Sequence, residues 1–212
     1  MQPFLSDHQL ELVKQWLGSG SINIFGLPFA GKDTHGHELA KLLHGAVLSG
    51  GQILRGSTLT PEQKQSLNAG DLFPTEEYMR IVTPYLSREE FAGKPLVLSS
   101  VGRWIGEEQG VLAATKASNH PTKAVVYLTI DEETIYRRLD ASKEIGDREL
   151  RADDSREILA NRIKEFREKT LPVIEEYRKL DLLIEINSDA DRQEVYDTVL
   201  SRLLQLATEN AA

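Results

Sequence analysis

Apolar residues fall in five short runs, at 22–25, 46–49, 95–99, 124–129 and 182–186, separated by longer stretches in which apolar and polar positions alternate with a helical period. Four of the runs are nearly unbroken, as in strands buried on both faces of a parallel sheet. Glu185 interrupts the fifth. Helices are expected at 32–43, 61–68, 75–86, 104–117 and 132–139, over a long segment at 155–178, and at 195–206, where Val195, Val199, Leu203 and Leu206 share one face. Strands alternating with helices predict a three-layer α/β fold. A further helix at 7–17, capped by Ser6 or Asp7, precedes the first strand. Two stretches fit the alternation poorly. Residues 50–92 form a long excursion between the second and third strands, and 141–150 are polar and contain Gly146. Both are read as inserts able to move over a ligand.

Length and composition narrow this picture only a little. A chain of 212 residues with 40 % hydrophobic positions suits one domain with a real core. The net charge of −8 argues against a nucleic-acid partner, which needs clustered Lys and Arg, yet leaves room for a locally cationic pocket. There are no cysteines, which removes disulfides, thiolate metal sites and a cysteine nucleophile. Residues 1–20 lack the pattern of a signal peptide, and no apolar run is long enough to cross a bilayer. The expectation is a monomeric cytoplasmic protein without a membrane partner.

The chemistry enters at Gly26-Leu27-Pro28-Phe29-Ala30-Gly31-Lys32-Asp33-Thr34, between the first strand and the helix after it. Glycine, four residues, glycine and lysine is the spacing of a P-loop. Such a loop curls so that several backbone N–H groups face one anion. The helix adds its positive end, and Lys32 adds a full charge for the terminal phosphates. The residues from Pro28 to Thr34 are therefore candidates for holding ATP. The residue after the lysine is ordinarily Ser or Thr; here it is Asp33, with Thr34 one place later. His35 and His37 stand on different faces of the helix and make a poor metal pair.

From about residue 22 to 204 the chain resembles the adenylate kinase family of nucleoside monophosphate kinases. The motifs that carry the resemblance are GLPFAGKDT (26–34), LSGGQILR (48–55), AGDLFPTEEY (69–78), LVLSSVGRWIGEEQ (96–109) and RADDSREILANRIKEF (151–166), in the family's order. The resemblance implies a P-loop kinase fold with a five-stranded parallel sheet, a monophosphate-binding insert at 50–92 and a short lid at 140–150, with 1–21 as an N-terminal extension. It implies phosphoryl transfer from ATP, with Mg²⁺, to a nucleoside monophosphate, AMP in the first instance. By motif position Lys32, Arg103, Arg138, Arg151 and Arg162 would surround the transferring phosphates, with Arg138 also on the ATP side. Gly50, Arg55, Phe73, Ser100, Arg103, Glu107, Arg151 and Arg162 would line the acceptor site. Asp153 and Asp154 would fix the hinge of the lid. Arginine suits these places because its planar fork grips phosphate oxygens and keeps its charge.

Several positions depart from the family. Ser99 and Ser100 replace an Asp-Gly pair whose aspartate orients water on Mg²⁺, and Asp33 is a candidate for the lost carboxylate. Gly50 stands in place of an adenine-reading threonine. Glu107 replaces a glutamine, so its carboxylate can accept from guanine N1–H and N2–H₂, which leaves GMP open as acceptor, unless Gln109 takes the role. Lys143 stands in for an arginine missing near Ser142. Two other readings remain: a nucleotide-binding module without turnover, and a P-loop kinase for another small acceptor.

Overall fold

The computed structural model describes residues 4–145 and 155–210. Its centre is a sheet of five parallel strands, β1 (Ser21–Gly26), β2 (Ala46–Ser49), β3 (Leu96–Ser99), β4 (Thr122–Thr129) and β5 (Leu183–Asn187), in the order β2-β3-β1-β4-β5. This is the expected α/β sheet. β1 is central and buried at every position. β5 lies at an edge and alternates between buried and exposed positions. That placement explains the break in its apolar run: Glu185 points to solvent and accepts a hydrogen bond from Arg178 Nη2 at 2.7 Å. In an open sheet of this kind, ligands bind outside the carboxyl ends of the strands, where the loops after β1 and β3 emerge.

Helix α1 (Asp7–Leu17) is closed by a capping box between Ser6 and Gln9, which selects Ser6 over Asp7 as the cap. It buries Val13 and Leu17 and packs on the last helix, α10 (Arg192–Glu209). The phosphate loop leads into α2 (Lys32–Leu42). Residues 50–92 carry α3 (Gly50–Gly56), α4 (Pro61–Ala69) and α5 (Thr75–Leu86). Ile53, Leu54, Leu59, Phe73, Tyr78, Val82 and Leu86 from this stretch form one apolar cluster with Leu96 and Leu98 of β3 and Val111 of α6 (Glu107–Ala117). The excursion is thus seated on β3 by a second small core, distinct from the main core around β1, β4, α1, α10 and the helix at Leu171–Lys179.

Three elements differ from the sequence expectation. α6 begins at Glu107 rather than at 104, because the Glu107 carboxylate takes the backbone N–H groups of Arg103 and Trp104 into a turn. α7 (Glu132–Ile145) runs past 139 into the stretch read as a lid; the rest of that stretch, with Gly146, and also Arg151, Asp153 and Asp154, lies outside the described residues. The long segment 155–178 is α8 (Arg156–Glu165) joined to α9 (Leu171–Lys179) through a π-turn at Phe166–Thr170. Pro172 accounts for the turn: it lacks an N–H, and its ring clashes with the carbonyl four residues earlier.

Candidate functional site

One cavity of about 880 Å³ opens at the carboxyl ends of β1 and β3, a size suited to small-molecule ligands. It gathers Lys32, Arg55, Arg103, Arg138, Arg162 and Arg192 around a common space. A cationic pocket on a chain of net charge −8 needs such local concentration.

The phosphate loop forms one end. Gly31 caps α2 with φ of 90°, a backbone state that L-residues avoid, and a Cβ there would lie 3.0 Å from the His35 ring. Phe29 also adopts a positive φ, 64°. Its carbonyl accepts a hydrogen bond from Arg138 Nη1 at 3.0 Å, while Arg138 Nη2 donates to the carbonyls of Ser188 (2.7 Å) and Ala190 (3.2 Å). Arg138 therefore ties the loop after β1 to the loop after β5. Lys32 Nζ donates to the Leu27 carbonyl at 2.9 Å, across the loop. Pro28, Phe29, Gly31, Lys32, Asp33 and Thr34 line the cavity, whereas Ala30 is fully buried behind the loop.

Asp33 lies in the first turn of α2, and its Oδ1 accepts a hydrogen bond of 2.8 Å from Ser99 Oγ at the end of β3. Two of the positions at which the sequence departs from the pattern it resembles are thus in direct contact. Beside them, Asn23 of β1 grips the loop after β3: its Nδ2 donates to the Val101 carbonyl at 2.7 Å, and its Oδ1 accepts from the Val101 N–H at 3.3 Å.

The other end is built from α3, α5 and the loop into α6. Gly50, Arg55, Phe73, Ser100, Arg103 and Glu107 all line it. The Arg55 guanidinium lies over Gly51. Arg103 Nε is buried and has no hydrogen-bond partner among the described residues, an arrangement suited to an incoming anion. Burial depresses the Arg103 pKa, and the neighbouring Tyr78, Glu107 and Glu165 oppose that shift. Burial raises the Glu107 pKa, opposed by the N–H groups of Trp104 and Arg103, the Thr75 hydroxyl and the Arg103 charge. Gln109 is exposed and does not reach the cavity, so Glu107 is the polar side chain placed there. Arg162 of α8 packs its stem on Gly70, 2.9 Å from where a Cβ would stand, and faces the same space.

The structure thus brings together every described candidate except Ala30 and Gln109. Arg151 and the Lys143 side chain lie outside the description. It also adds residues that sequence reading did not single out: Tyr78, Asn23, and Ser188, Ala190, Asp191 and Arg192 after β5. No spacing in the sequence marks them. His35 is buried at the cavity wall with its ring stacked on Tyr196. Trp104 sits outside the core with the Lys169 ammonium 4.4 Å from its ring centroid.

The model of the family described as "Adenylate kinase" matches residues 24–182. Adenylate kinase of Mycolicibacterium smegmatis (strain ATCC 700084 / mc(2)155) is 31 % identical over 187 residues, covering 86 % of this chain and 98 % of its own length. Adenylate kinase of Prochlorococcus marinus (strain MIT 9211) is 30 % identical over 186 residues, covering 84 % and 94 %. That of Nocardioides sp. (strain ATCC BAA-499 / JS614) is 29 % identical over 185 residues, covering 85 % and 95 %.

Proposed function

The chain belongs to the adenylate kinase family and is a nucleoside monophosphate kinase, and on that premise we propose that it transfers the γ-phosphoryl group of ATP to AMP. The observation that carries the reading is a shared cavity with the phosphate loop at one end and Arg55, Arg103 and Arg162 toward the other. Two nucleotides placed there meet end to end between Lys32 and the arginines. Transfer of a phosphoryl group then requires positioning and charge neutralisation rather than covalent help from the protein. Lys32 and Arg138 serve the ATP phosphates; Arg55 and Arg103 hold the acceptor phosphate; Arg162 faces the group in transit, a role that motif position gives to Arg151 as well.

Adenylate kinases use Mg²⁺ with ATP. The donor set here fits an ion held mainly by phosphate oxygens and water. Among the described residues no group of three or more His, Cys, Asp or Glu could hold a metal by itself, while Asp33 offers one carboxylate beside the phosphate loop, oriented by Ser99. When bound, such an ion would supply charge neutralisation at the transferring phosphates. Asp33 would orient its water, and Ser99 would orient Asp33.

Glu107 favours a second acceptor, GMP. Its Oε2 accepts the N–H groups of Arg103 (2.7 Å) and Trp104 (3.0 Å), and a carboxylate in that place can accept from guanine N1–H and N2–H₂. The deciding experiment incubates the protein with ATP, Mg²⁺ and each of AMP, GMP, CMP, UMP and dTMP, then ranks kcat/KM. AMP first upholds the proposal, and GMP first replaces it with the second reading. ADP formation with no second diphosphate rejects both.

A further inference from the structure

Tyr78 rises from α5 into the acceptor end of the cavity, where it is 6 % exposed. It stands against the bare backbone of Gly50. A Cβ at Gly50 would lie 2.5 Å from the Tyr78 hydroxyl and 3.1 Å from the Ser100 carbonyl oxygen, so any side chain at position 50 and the phenol exclude each other. The space that a residue at position 50 would fill from α3 is filled from α5 instead, by an aromatic hydroxyl.

The hydrogen-bond accounting of that hydroxyl is incomplete without a ligand. Tyr78 Oη accepts the Gly102 N–H at 3.2 Å. A phenol also has one proton to donate, and no acceptor among the described residues takes it. Two charged groups act electrostatically on the phenol and line the same cavity: the Glu107 carboxylate, and Arg103, which is assigned to the acceptor phosphate. One wall therefore presents a neutral donor and an anionic acceptor. Arg55 and Arg103 serve the acceptor phosphate, so the Tyr78 hydroxyl and the Glu107 carboxylate are left to match the uncharged edge of a nucleobase, which offers ring or exocyclic acceptors next to N–H donors.

We propose that Tyr78 is a specificity-determining residue of the acceptor site, its hydroxyl donating to an acceptor atom on the base of the bound monophosphate while Glu107 accepts from a neighbouring N–H, and that Gly50 is bare to admit it. The inference rests on the nucleoside monophosphate reading of this cavity. In that pairing adenine offers N1 or N7 to the phenol and its amino group to Glu107. Guanine offers O6 to the phenol and N1–H to Glu107.

The test is Tyr78→Phe, with Gly50→Ala as a second variant that crowds the same hydroxyl without deleting it. KM and kcat are measured for ATP, AMP, 1-deaza-AMP, 7-deaza-AMP, GMP and 2-aminopurine riboside monophosphate, and calorimetry reads binding of the same monophosphates without turnover. For the monophosphate that the wild type prefers, loss of one such hydrogen bond is expected to raise KM and Kd about 3- to 10-fold, with the KM for ATP unchanged. The penalty should disappear for the one analogue that lacks the paired acceptor atom: 1-deaza or 7-deaza for an adenine, 2-aminopurine for a guanine. A merely structural role would weaken every monophosphate alike. A uniform loss, or no loss in either variant, overturns the proposal. Failure of the wild type to bind any monophosphate by calorimetry would overturn the reading of the cavity itself, and this inference with it; binding without turnover would overturn only the kinase assignment.

Discussion

A carboxylate next to a triphosphate is a repulsive placement unless a cation lies between them, and Asp33 occupies that place in the first turn of the phosphate-loop helix. Its 2.8 Å hydrogen bond from Ser99 Oγ fixes the direction of one oxygen. If Asp33 acts on the ion's water, Asp33→Asn keeps the shape and removes the charge. Half-saturating Mg²⁺ should then rise several-fold, with the KM for the monophosphate unchanged, and Mn²⁺ bound in the ATP complex should show weakened affinity by paramagnetic resonance. An unaltered Mg²⁺ requirement together with unaltered Mn²⁺ affinity would leave Asp33 as a helix-dipole residue only. Ser99→Ala should shift the same curve in the same direction but less, since it frees the carboxylate without removing it.

Strands and helices position these side chains through contacts that a linear pattern does not reveal. Asn23 sits in the central strand, fully buried, and makes two hydrogen bonds to the Val101 backbone. It therefore sets the path of the chain toward Arg103. Replacing Asn23 by Leu leaves both Val101 groups buried without partners, at a cost of about 2–4 kcal/mol. Thermal or urea unfolding should read that loss, and the KM for the monophosphate should rise more than the KM for ATP. On the other side of the cavity, Asn161 of α8 donates through Nδ2 to the Ala69 carbonyl (2.9 Å) and to Asp71 Oδ1 (3.0 Å), and Glu165 Oε2 accepts the Leu72 N–H (3.3 Å). These bonds fasten the end of α4 to the helix that carries Arg162. Asn161→Ala should speed amide hydrogen exchange around residues 69–72 while moving global stability by less than about 1 kcal/mol, because the contact is largely exposed. Equal protection in both proteins would show that the insert is held by its apolar cluster alone. The central strands β1, β3 and β4 and the phosphate loop were legible because a doubly buried strand writes a nearly unbroken apolar run and the loop has fixed spacing, whereas the edge strand β5 showed only the interrupted run around Glu185. Asn23, Asn161 and Tyr78 were not, since each acts through a partner between 24 and 92 residues away, and nothing in the local sequence records such a pairing.

For the molecule as a whole, the placement of the cavity at the carboxyl ends of β1 and β3 turns a ligand site into a stability determinant, because polar groups are buried to build it. His35 is the clearest case. It is 3 % exposed, stacked on Tyr196, and its Nδ1 has no hydrogen-bond partner among the described residues. Burial, with the positive charges of Arg192 and Arg138, lowers its pKa from 6.5 to about 4. A depressed histidine pKa means that between these two values the unfolded chain binds the proton and the folded chain does not. Stability from this group is therefore complete above pH 6.5 and is lost as pH falls toward 4, by at most about 3 kcal/mol. Carboxylates titrate in part of the same window, so the informative quantity is the difference between wild type and His35→Phe, which keeps an aromatic ring against Tyr196 and cannot bind a proton. The variant should lose less unfolding free energy than the wild type between pH 7 and pH 4.5, with the two curves converging toward acid. ATP supplies a second reading of the same coupling. A polyanion bound beside Arg138 and Arg192 offsets the two charges that disfavour the imidazolium, so saturating ATP should shift the wild-type curve to lower pH and leave the slope of the variant unaffected by that term. Parallel pH curves for the two proteins, with and without nucleotide, would assign the acid sensitivity of the fold to its carboxylates instead.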